Sequence, residues 1–128
     1  TITSLTNYRA KAERDHINYI FSAKMNDNSF AFNAAEVLLS AFGDCLLTNI
    51  LNISQRMHLD IEKIKLHIED NREDNPPSIT EIRYVLYFKT NEKMEKLEKL
   101  VKLSLEHGTV TNTLKNINIQ GQIKIMEA

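Results

Sequence analysis

Apolar and polar residues alternate along two stretches in the middle of the chain, with the period of a β-strand that has one buried face. The apolar residues occupy every second position, namely Ile64, Leu66 and Ile68 in the first stretch and Ile82, Tyr84, Leu86 and Phe88 in the second. Between them lies NREDNPPS, residues 71–78, whose prolines and Asn/Asp residues indicate a loop or an edge turn. The pattern predicts two strands joined as a hairpin.

The pattern also predicts strands near both ends of the chain. Near the C-terminus, four isoleucines share one parity on either side of Gly121, namely Ile117, Ile119, Ile123 and Ile125. This pattern predicts a half-buried strand with a bulge at Gly121. Near the N-terminus, Ile17, Tyr19 and Phe21 precede the turn-like segment KMNDNS, residues 24–29. That combination predicts a small hairpin.

The longest apolar segment has the period of a helix. Asn33 is a suitable N-cap and Glu36 follows three residues later, as in a capping box, so we predict a helix from Asn33 to about Met57. Its apolar residues occupy nearly every face: Val37, Leu38, Leu39, Phe42, Leu46, Leu47, Ile50, Leu51 and Ile53. A helix that is apolar all round is expected to be central and buried.

A second helical segment, Glu92 to Glu106, is amphipathic and is expected to lie on the outside. Its apolar stripe comprises Met94, Leu97, Leu100, Val101 and Leu105. The order of strands, buried helix, strand hairpin, amphipathic helix and strand favours an α+β domain over a doubly wound parallel sheet. A helix buried on every side needs more cover than one small sheet supplies, so we predict a homodimer.

Composition narrows the possible functions. The 128 residues fit a single domain, residues 1–128, and 16 basic against 17 acidic residues leave no electrostatic signature of nucleic-acid or anionic-membrane binding. No apolar stretch approaches the roughly 18 to 20 residues that span a bilayer, and no signal peptide is visible. We therefore expect a soluble, cytoplasmic protein with no nucleic-acid or membrane partner. The single cysteine, Cys45, fits a reducing compartment.

The segment NAAEVLLSAFGDCLLTNI, residues 33–50, carries Asn33, Glu36 and Cys45 at the positions typical of the cysteine helix of the OsmC/Ohr peroxide-resistance and redox proteins, and it resembles that helix. MHLDIEKIKLHIE and NPPSITEIRYVLYF resemble the next two strands of the family. EKLEKLVKLSLEHGTVTNTLK resembles its second helix with the motif that usually reads Cys-Pro-Val-x-Asn-Thr-Leu. This resemblance, over roughly residues 8 to 125, implies antiparallel sheets packed on a long central helix in an intertwined homodimer.

Within the last segment, the resemblance places Gly108 where the family's second cysteine would stand and Thr109 where its proline would stand. In the peroxidase members, the helix cysteine attacks the peroxide as a thiolate, becomes a sulfenic acid and is resolved by the second cysteine. The resemblance implies that Cys45 can take the first step, and that an external thiol must take the second. We expect the Thr111-Asn112-Thr113 run to cap a short helix ending near Asn116.

The resemblance also suggests the residues that assist Cys45. The best-known peroxidase branch has a glutamate directly after an Asn-Pro pair, where this chain has alanine, and Glu36 falls on a position shared by the wider family. Arg9 and Arg14 are candidates for the arginine that holds the thiolate, and a turn-adjacent position favours Arg14. The predicted catalytic set is Cys45, Glu36 and Arg14, with Glu36 also available as the capping partner of Asn33.

Two hypotheses remain open for Cys45. About twelve residues into its helix it gains almost nothing from the helix dipole, so an activating cation must come from elsewhere. The protein is either a one-cysteine reductase of organic hydroperoxides that uses an external thiol, or a non-peroxidase dimer that binds a small apolar ligand with Cys45 merely packed. The four histidines show no metal-ligand spacing, and we predict neither a metal nor a cofactor.

Overall fold

The computed structural model describes residues 1–26 and 30–126. In that part of the chain the elements are β1 (Ile2–Leu5), β2 (Arg9–Arg14), β3 (Ile17–Ser22), α1 (Ala34–Arg56), β4 (Ile61–Asp74), β5 (Pro77–Thr90), α2 (Met94–Glu106), α3 (Thr109–Thr113) and β6 (Asn118–Ile125). The chain divides into two compact units, Thr1–Ala41 and Phe42–Ala128, and α1 contributes to both. That a single domain covers residues 1–128 stays a prediction.

The first unit contains an antiparallel sheet in the order β1-β2-β3. Its turns use residues with positive φ, namely Asn7 and Tyr8 between β1 and β2 and Asp15 between β2 and β3. Asn and Asp tolerate this left-handed conformation better than most residues. The predicted strand at Ile17, Tyr19 and Phe21 is β3, which forms a hairpin with β2. The turn predicted at KMNDNS stays a prediction, because residues 27–29 lie outside the described residues.

One face of the first sheet is apolar and largely uncovered. Ile2 lies opposite Ala12, which in turn lies opposite Tyr19, and Ile17 shares their face. Ile2 is 68% exposed, Ile17 53% and Tyr19 51%. A face with so much exposed hydrocarbon is typical of an interaction surface.

The ends of α1 follow from local hydrogen bonds. Glu36 N–H donates to Asn33 Oδ1 at 3.0 Å, and Asn33 N–H donates to Glu36 Oε1 at 3.1 Å, which confirms the predicted capping box. At the other end, His58 has a positive φ, and Leu59 N–H donates to the Ser54 carbonyl oxygen at 2.9 Å. This Schellman motif ends the helix at the predicted place.

One chain alone does not bury α1 on every side, and burial of the rest by a second copy stays a prediction. Phe42, Leu46 and Ile50, spaced one turn apart on one side of the helix, have no exposed surface. On the opposite side Leu51 is 60% exposed. That side also carries four exposed polar residues, namely Ser40, Asp44, Thr48 and Asn52. Within one chain, α1 therefore has one covered and one uncovered side.

The 23 residues of α1 also satisfy the length and composition criteria for a membrane-spanning helix. The expectation that nothing in the sequence approaches spanning length is therefore wrong for this helix as a whole, because interruptions such as Asp44 and Asn49 are few. Core helices of soluble proteins satisfy the same criteria, so this single helix is weak evidence for a membrane.

The second unit contains a sheet in the order β4-β5-β6. The antiparallel pairing of β4 with β5 confirms the predicted hairpin, but the strands extend into NREDNPPS and leave only Asn75 and Pro76, joined by a cis peptide bond, as the turn. β6 pairs with β5 in parallel. The second sheet is therefore mixed, which departs from the antiparallel sheets that the resemblance implies.

The bulge predicted at Gly121 is also wrong. β6 stays in unbroken register with β5 from Asn118 to Ile125, and Gly121 lies opposite Tyr84. A β-carbon built on Gly121 would lie 1.9 Å from Tyr84 Cζ, so the glycine provides the space that the tyrosine ring occupies.

The core of the second unit is built from α1, β5 and α2. Its fully buried apolar side chains are Phe42, Leu46, Ile50, Ile82, Leu86, Phe88, Leu97 and Leu100. The Tyr84 ring lies 6.2 Å from that of Phe42 in a tilted arrangement. A β-carbon on Gly43 would lie 2.9 Å from Ile68 Cδ1, so α1 approaches β4 closely at this glycine. The buried stripe of α2 confirms its predicted amphipathic character.

Candidate functional site

Cys45 lies in the middle of α1 and is partly buried. Asn49, one turn later, donates from Nδ2 to the Cys45 carbonyl oxygen at 2.9 Å, and the same Nδ2 lies 3.8 Å from Cys45 Sγ. Because residues four apart lie one above the other on a helix, α1 itself sets this contact. The sulfur thus has a neutral hydrogen-bond donor beside it.

Gly108 stands next to the same sulfur. A β-carbon built on Gly108 would lie 3.1 Å from Cys45 Sγ. Across a disulfide, the β-carbon of one cysteine lies about 3 Å from the sulfur of the other. The position that the resemblance pairs with the second cysteine is therefore close enough to Cys45 for a disulfide, and this chain has glycine there.

Thr111 also lies beside Gly108, close to Cys45. The run from Thr111 to Thr113 lies inside α3, whose N-cap is Gly108, so the prediction that these residues cap a later helix is wrong. Thr111 Oγ1 would lie 2.9 Å from the β-carbon built on Gly108. The oxygen is fully buried and has no hydrogen-bond partner in the described part of the chain. Cys45 and Thr111 therefore face the space that a side chain at position 108 would fill.

Within the second unit, the described group that hydrogen-bonds to the sulfur is neutral. Among the described residues of the second unit, 42–126, no basic side chain hydrogen-bonds to Cys45 Sγ, and Asn49 is the residue that does. The surroundings of Cys45 in this unit are therefore neither wholly apolar nor cationic.

The structure places the two candidate arginines within the first unit. The Arg9 guanidinium lies 4.4 Å from the centre of the Phe30 ring, a cation–π contact. Arg14, at the end of β2, pairs with Asp15 at 3.1 Å, and 76% of its side chain is exposed. The choice between Arg9 and Arg14, and the catalytic role of Glu36 beyond its capping bond, stay predictions.

Sequence reasoning found Cys45 and Gly108 but not Thr111. Thr111 occupies the variable position of the motif that resembles Cys-Pro-Val-x-Asn-Thr-Leu, so the resemblance assigned it no role. Helical spacing could have identified Thr111. Residues three apart in a helical turn lie on the same side, which places Thr111 beside position 108.

The histidines form no metal site in the parts of the chain that are described, where no group of three or more His, Cys, Asp or Glu side chains could hold a metal ion. His67 pairs with Glu69 at 3.1 Å on an exposed face of β4. Hydrogen bonds from His67 and Arg83 hold the pKa of Glu69 below its ordinary value. These three residues form a surface ion-pair network rather than a site of chemistry.

The family model described as OsmC-like protein matches residues 25–122 of the chain. This chain belongs to the OsmC-like family. The single cysteine of this OsmC-like protein lies on the long central helix of an α+β fold. A comparison with curated proteins finds no match.

Solved structures show the same fold at low sequence identity. An OsmC-like protein from Mycoplasma pneumoniae is 15% identical, with a TM-score of 0.89 over 99% of this chain and 95% of that one. A hypothetical protein from Aquifex aeolicus is 20% identical, with a TM-score of 0.80 over 99% and 96% of the two chains. The organic hydroperoxide resistance protein OhrB of Bacillus subtilis is 12% identical, with a TM-score of 0.70 over 98% and 96%.

Proposed function

We propose that this OsmC-like protein is a one-cysteine reductase of organic hydroperoxides, with Cys45 as the nucleophile and an external thiol as the reductant. The observation that carries the proposal is the position of residue 108, which lies beside Cys45 Sγ where a second thiol would be needed to resolve it. The fold it shares with an organic hydroperoxide resistance protein supports the substrate class.

In the first step, the Cys45 thiolate attacks an oxygen of the hydroperoxide. The S–O bond forms as the O–O bond breaks, and the alkoxide that leaves takes up a proton to become an alcohol. Cys45 is oxidised to a sulfenic acid while the hydroperoxide is reduced. Glu36 and one arginine, Arg14 or Arg9, are the proposed assisting residues.

In the second step, an external thiol attacks the sulfenic sulfur, forming a mixed disulfide and releasing water. A second external thiol then attacks that disulfide, which returns Cys45 to its reduced form and releases the two external thiols as a disulfide. With glycine at position 108, the described chain has no thiol of its own for this step.

We propose further that the protein is a homodimer. The apolar face of the first sheet, with Ile2, Ile17 and Tyr19 more than half exposed, and Leu51 on the uncovered side of α1 are the supporting observations. Burying apolar surface contributes roughly 25 cal/mol per Å². A second copy of the chain would supply the cover that one copy lacks.

The second candidate is a dimeric protein that binds a small apolar ligand, with Cys45 only packed. The observation that favours it is the neutral surroundings of the sulfur, because no basic side chain among residues 42–126 hydrogen-bonds to it. A thiol without an activating cation is a poor nucleophile.

Replacing Cys45 with serine separates the two candidates. We expect the parent to consume cumene hydroperoxide in the presence of dithiothreitol, and Cys45→Ser to lose at least about a hundredfold in initial rate, because the nucleophile is gone. Thr48→Ser, an exposed change one turn away on α1, serves as the matched control and should retain the parent rate. Equal rates for the parent and Cys45→Ser would leave only the ligand-binding candidate.

A further inference from the structure

We propose that Thr111 and Gly108 receive the oxygen of oxidised Cys45, with the Thr111 hydroxyl acting as a positioning residue that hydrogen-bonds the sulfenic acid. The inference rests on the proposed function, since it assumes that Cys45 reacts with a hydroperoxide. It adds a role for a side chain to which the resemblance assigns none.

The Thr111 hydroxyl lacks the partner that helical hydroxyls usually find. Ser40, Ser104 and Thr113 each donate to the carbonyl oxygen four residues earlier, at 2.7 to 2.8 Å. For Thr111 that residue is His107, which lies outside α3 and receives no such bond. A buried hydroxyl without a partner costs stability, so such a group calls for an explanation.

Gly108 allows the hydroxyl and the sulfur to lie close to its backbone. Its φ of −81° and ψ of 124° are ordinary extended backbone, so the local conformation does not require glycine. A β-carbon there would lie 2.9 Å from Thr111 Oγ1 and 3.1 Å from Cys45 Sγ, too close for both atoms to keep their places. The glycine therefore lets the sulfur and the hydroxyl both approach the backbone at position 108.

An oxygen bonded to Cys45 Sγ would come within reach of Thr111 Oγ1, because both atoms approach the same point beside Gly108. A sulfenic acid both donates and accepts hydrogen bonds, and so does the threonine hydroxyl, so the pair can match in either direction. The Asn49 amide, 3.8 Å from the sulfur, is a further donor. The Thr111 bond would hold the oxygen to one side and leave the sulfur open to an external thiol.

The same bond would slow damage by excess peroxide. A second hydroperoxide oxidises the sulfenic acid to a sulfinic acid, forming another S–O bond and releasing another alcohol, and that product is no longer recovered by thiols. A sulfenic oxygen fixed by Thr111 persists longer before this step. The measurable consequence is a longer lifetime of the sulfenic acid when no thiol is present.

The test compares Thr111→Val, which removes the hydroxyl at nearly constant shape, with Thr111→Ser, which keeps it. Each protein receives an excess of cumene hydroperoxide without thiol, and dimedone added at successive times labels the remaining sulfenic acid for intact-mass measurement. We expect the lifetime in Thr111→Val to fall about fivefold, with less than about a twofold change in the rate of thiol loss. Thr111→Ser and the matched control Thr113→Val, which loses another hydroxyl of α3, should behave as the parent.

The outcomes separate the inference from the proposed function. A parent that never forms a dimedone adduct overturns both. A parent that forms the adduct, with the same lifetime in Thr111→Val, overturns the role of Thr111 alone. If Thr111→Val fails to fold by circular dichroism, Gly108→Ala decides, because its methyl group would push the Thr111 hydroxyl and the Cys45 sulfur apart. A shortened lifetime then supports the inference, and an unchanged one overturns it.

Discussion

The two three-stranded sheets show similar alternation of apolar and polar residues but bury their apolar faces to very different extents. In the second sheet, Ile82, Leu86 and Phe88 have no exposed surface, whereas in the first sheet Ile17 and Tyr19 are about half exposed. The second unit contains α2 and most of α1 as cover, and the first contains only the start of α1. Alternation therefore tells which face of a strand is apolar, but not whether the same chain covers it.

The largest effect on stability is expected at Gly121, in the second sheet, whose apolar face is covered. In Gly121→Ala, the new β-carbon would lie 1.9 Å from Tyr84 Cζ, so the buried tyrosine ring must leave its place beside Phe42. We expect the free energy of unfolding to fall by about 3 kcal/mol. Urea denaturation measures it, with Gln122→Ala, the exposed neighbour on β6, as the control. Equal stability of the two variants would contradict the packing described for Tyr84.

The next largest effect is expected on dimerisation, at the uncovered apolar face of the first sheet. Tyr19→Glu places a charge on the apolar face, and we expect the dissociation constant of the proposed homodimer to rise at least about tenfold, because the charge would lose its water on association. Analytical ultracentrifugation over a range of concentrations measures this. Asn18→Glu puts the same charge on the opposite face of β3 and serves as the matched control. A parent that is monomeric at every concentration would rule out the homodimer.

The smallest effect on stability is expected at Glu69, on the solvent-exposed face of the second sheet. Hydrogen bonds from His67 and then Arg83 lower the pKa of Glu69, so its contribution to stability is present above the pKa of the unfolded chain and is lost as the pH falls through the lower folded value. Glu69 is exposed, so solvent screens this contribution. Thermal melts of Glu69→Gln and the parent should differ by less than about 2 °C at pH 7, and converge as the pH falls below the folded pKa of Glu69. A larger difference at pH 7 would show that the network matters structurally.

Local patterns in the sequence were sufficient to predict α1, α2 and the strands β4, β5 and β6, but not β1 and β2. The capping box of Asn33 and Glu36 fixed the start of α1, and the alternation around Ile64 and Leu86 gave β4 and β5. The direction of β6 was not predictable, because parallel and antiparallel strands can alternate in the same way. The bulge predicted at Gly121 was wrong because the glycine makes room for Tyr84 on the neighbouring strand, and the sequence around Gly121 does not show which residue lies opposite it.

Only the residues of the candidate site that have a counterpart in a known motif could be predicted from the sequence. Position 45 came from the resemblance, and so did the pairing of position 108 with it, which agrees with the 3.1 Å approach. The burial of Thr111 Oγ1 and its missing partner depend on how α3 packs beside α1, which no short motif encodes. Which side of α1 stays uncovered was not predicted, although Asp44, Thr48 and Asn52 interrupt the leucines and isoleucines on that side.

The ordinary backbone at Gly108 has an evolutionary consequence. Glycine and cysteine codons can differ by a single nucleotide, and the φ and ψ at this position suit either residue. For the proposed one-cysteine reductase, one point mutation would replace dependence on external thiols with a second thiol in the chain, once Thr111 Oγ1 moves away from the new β-carbon. Which form prospers would then depend on how well the host supplies reducing equivalents.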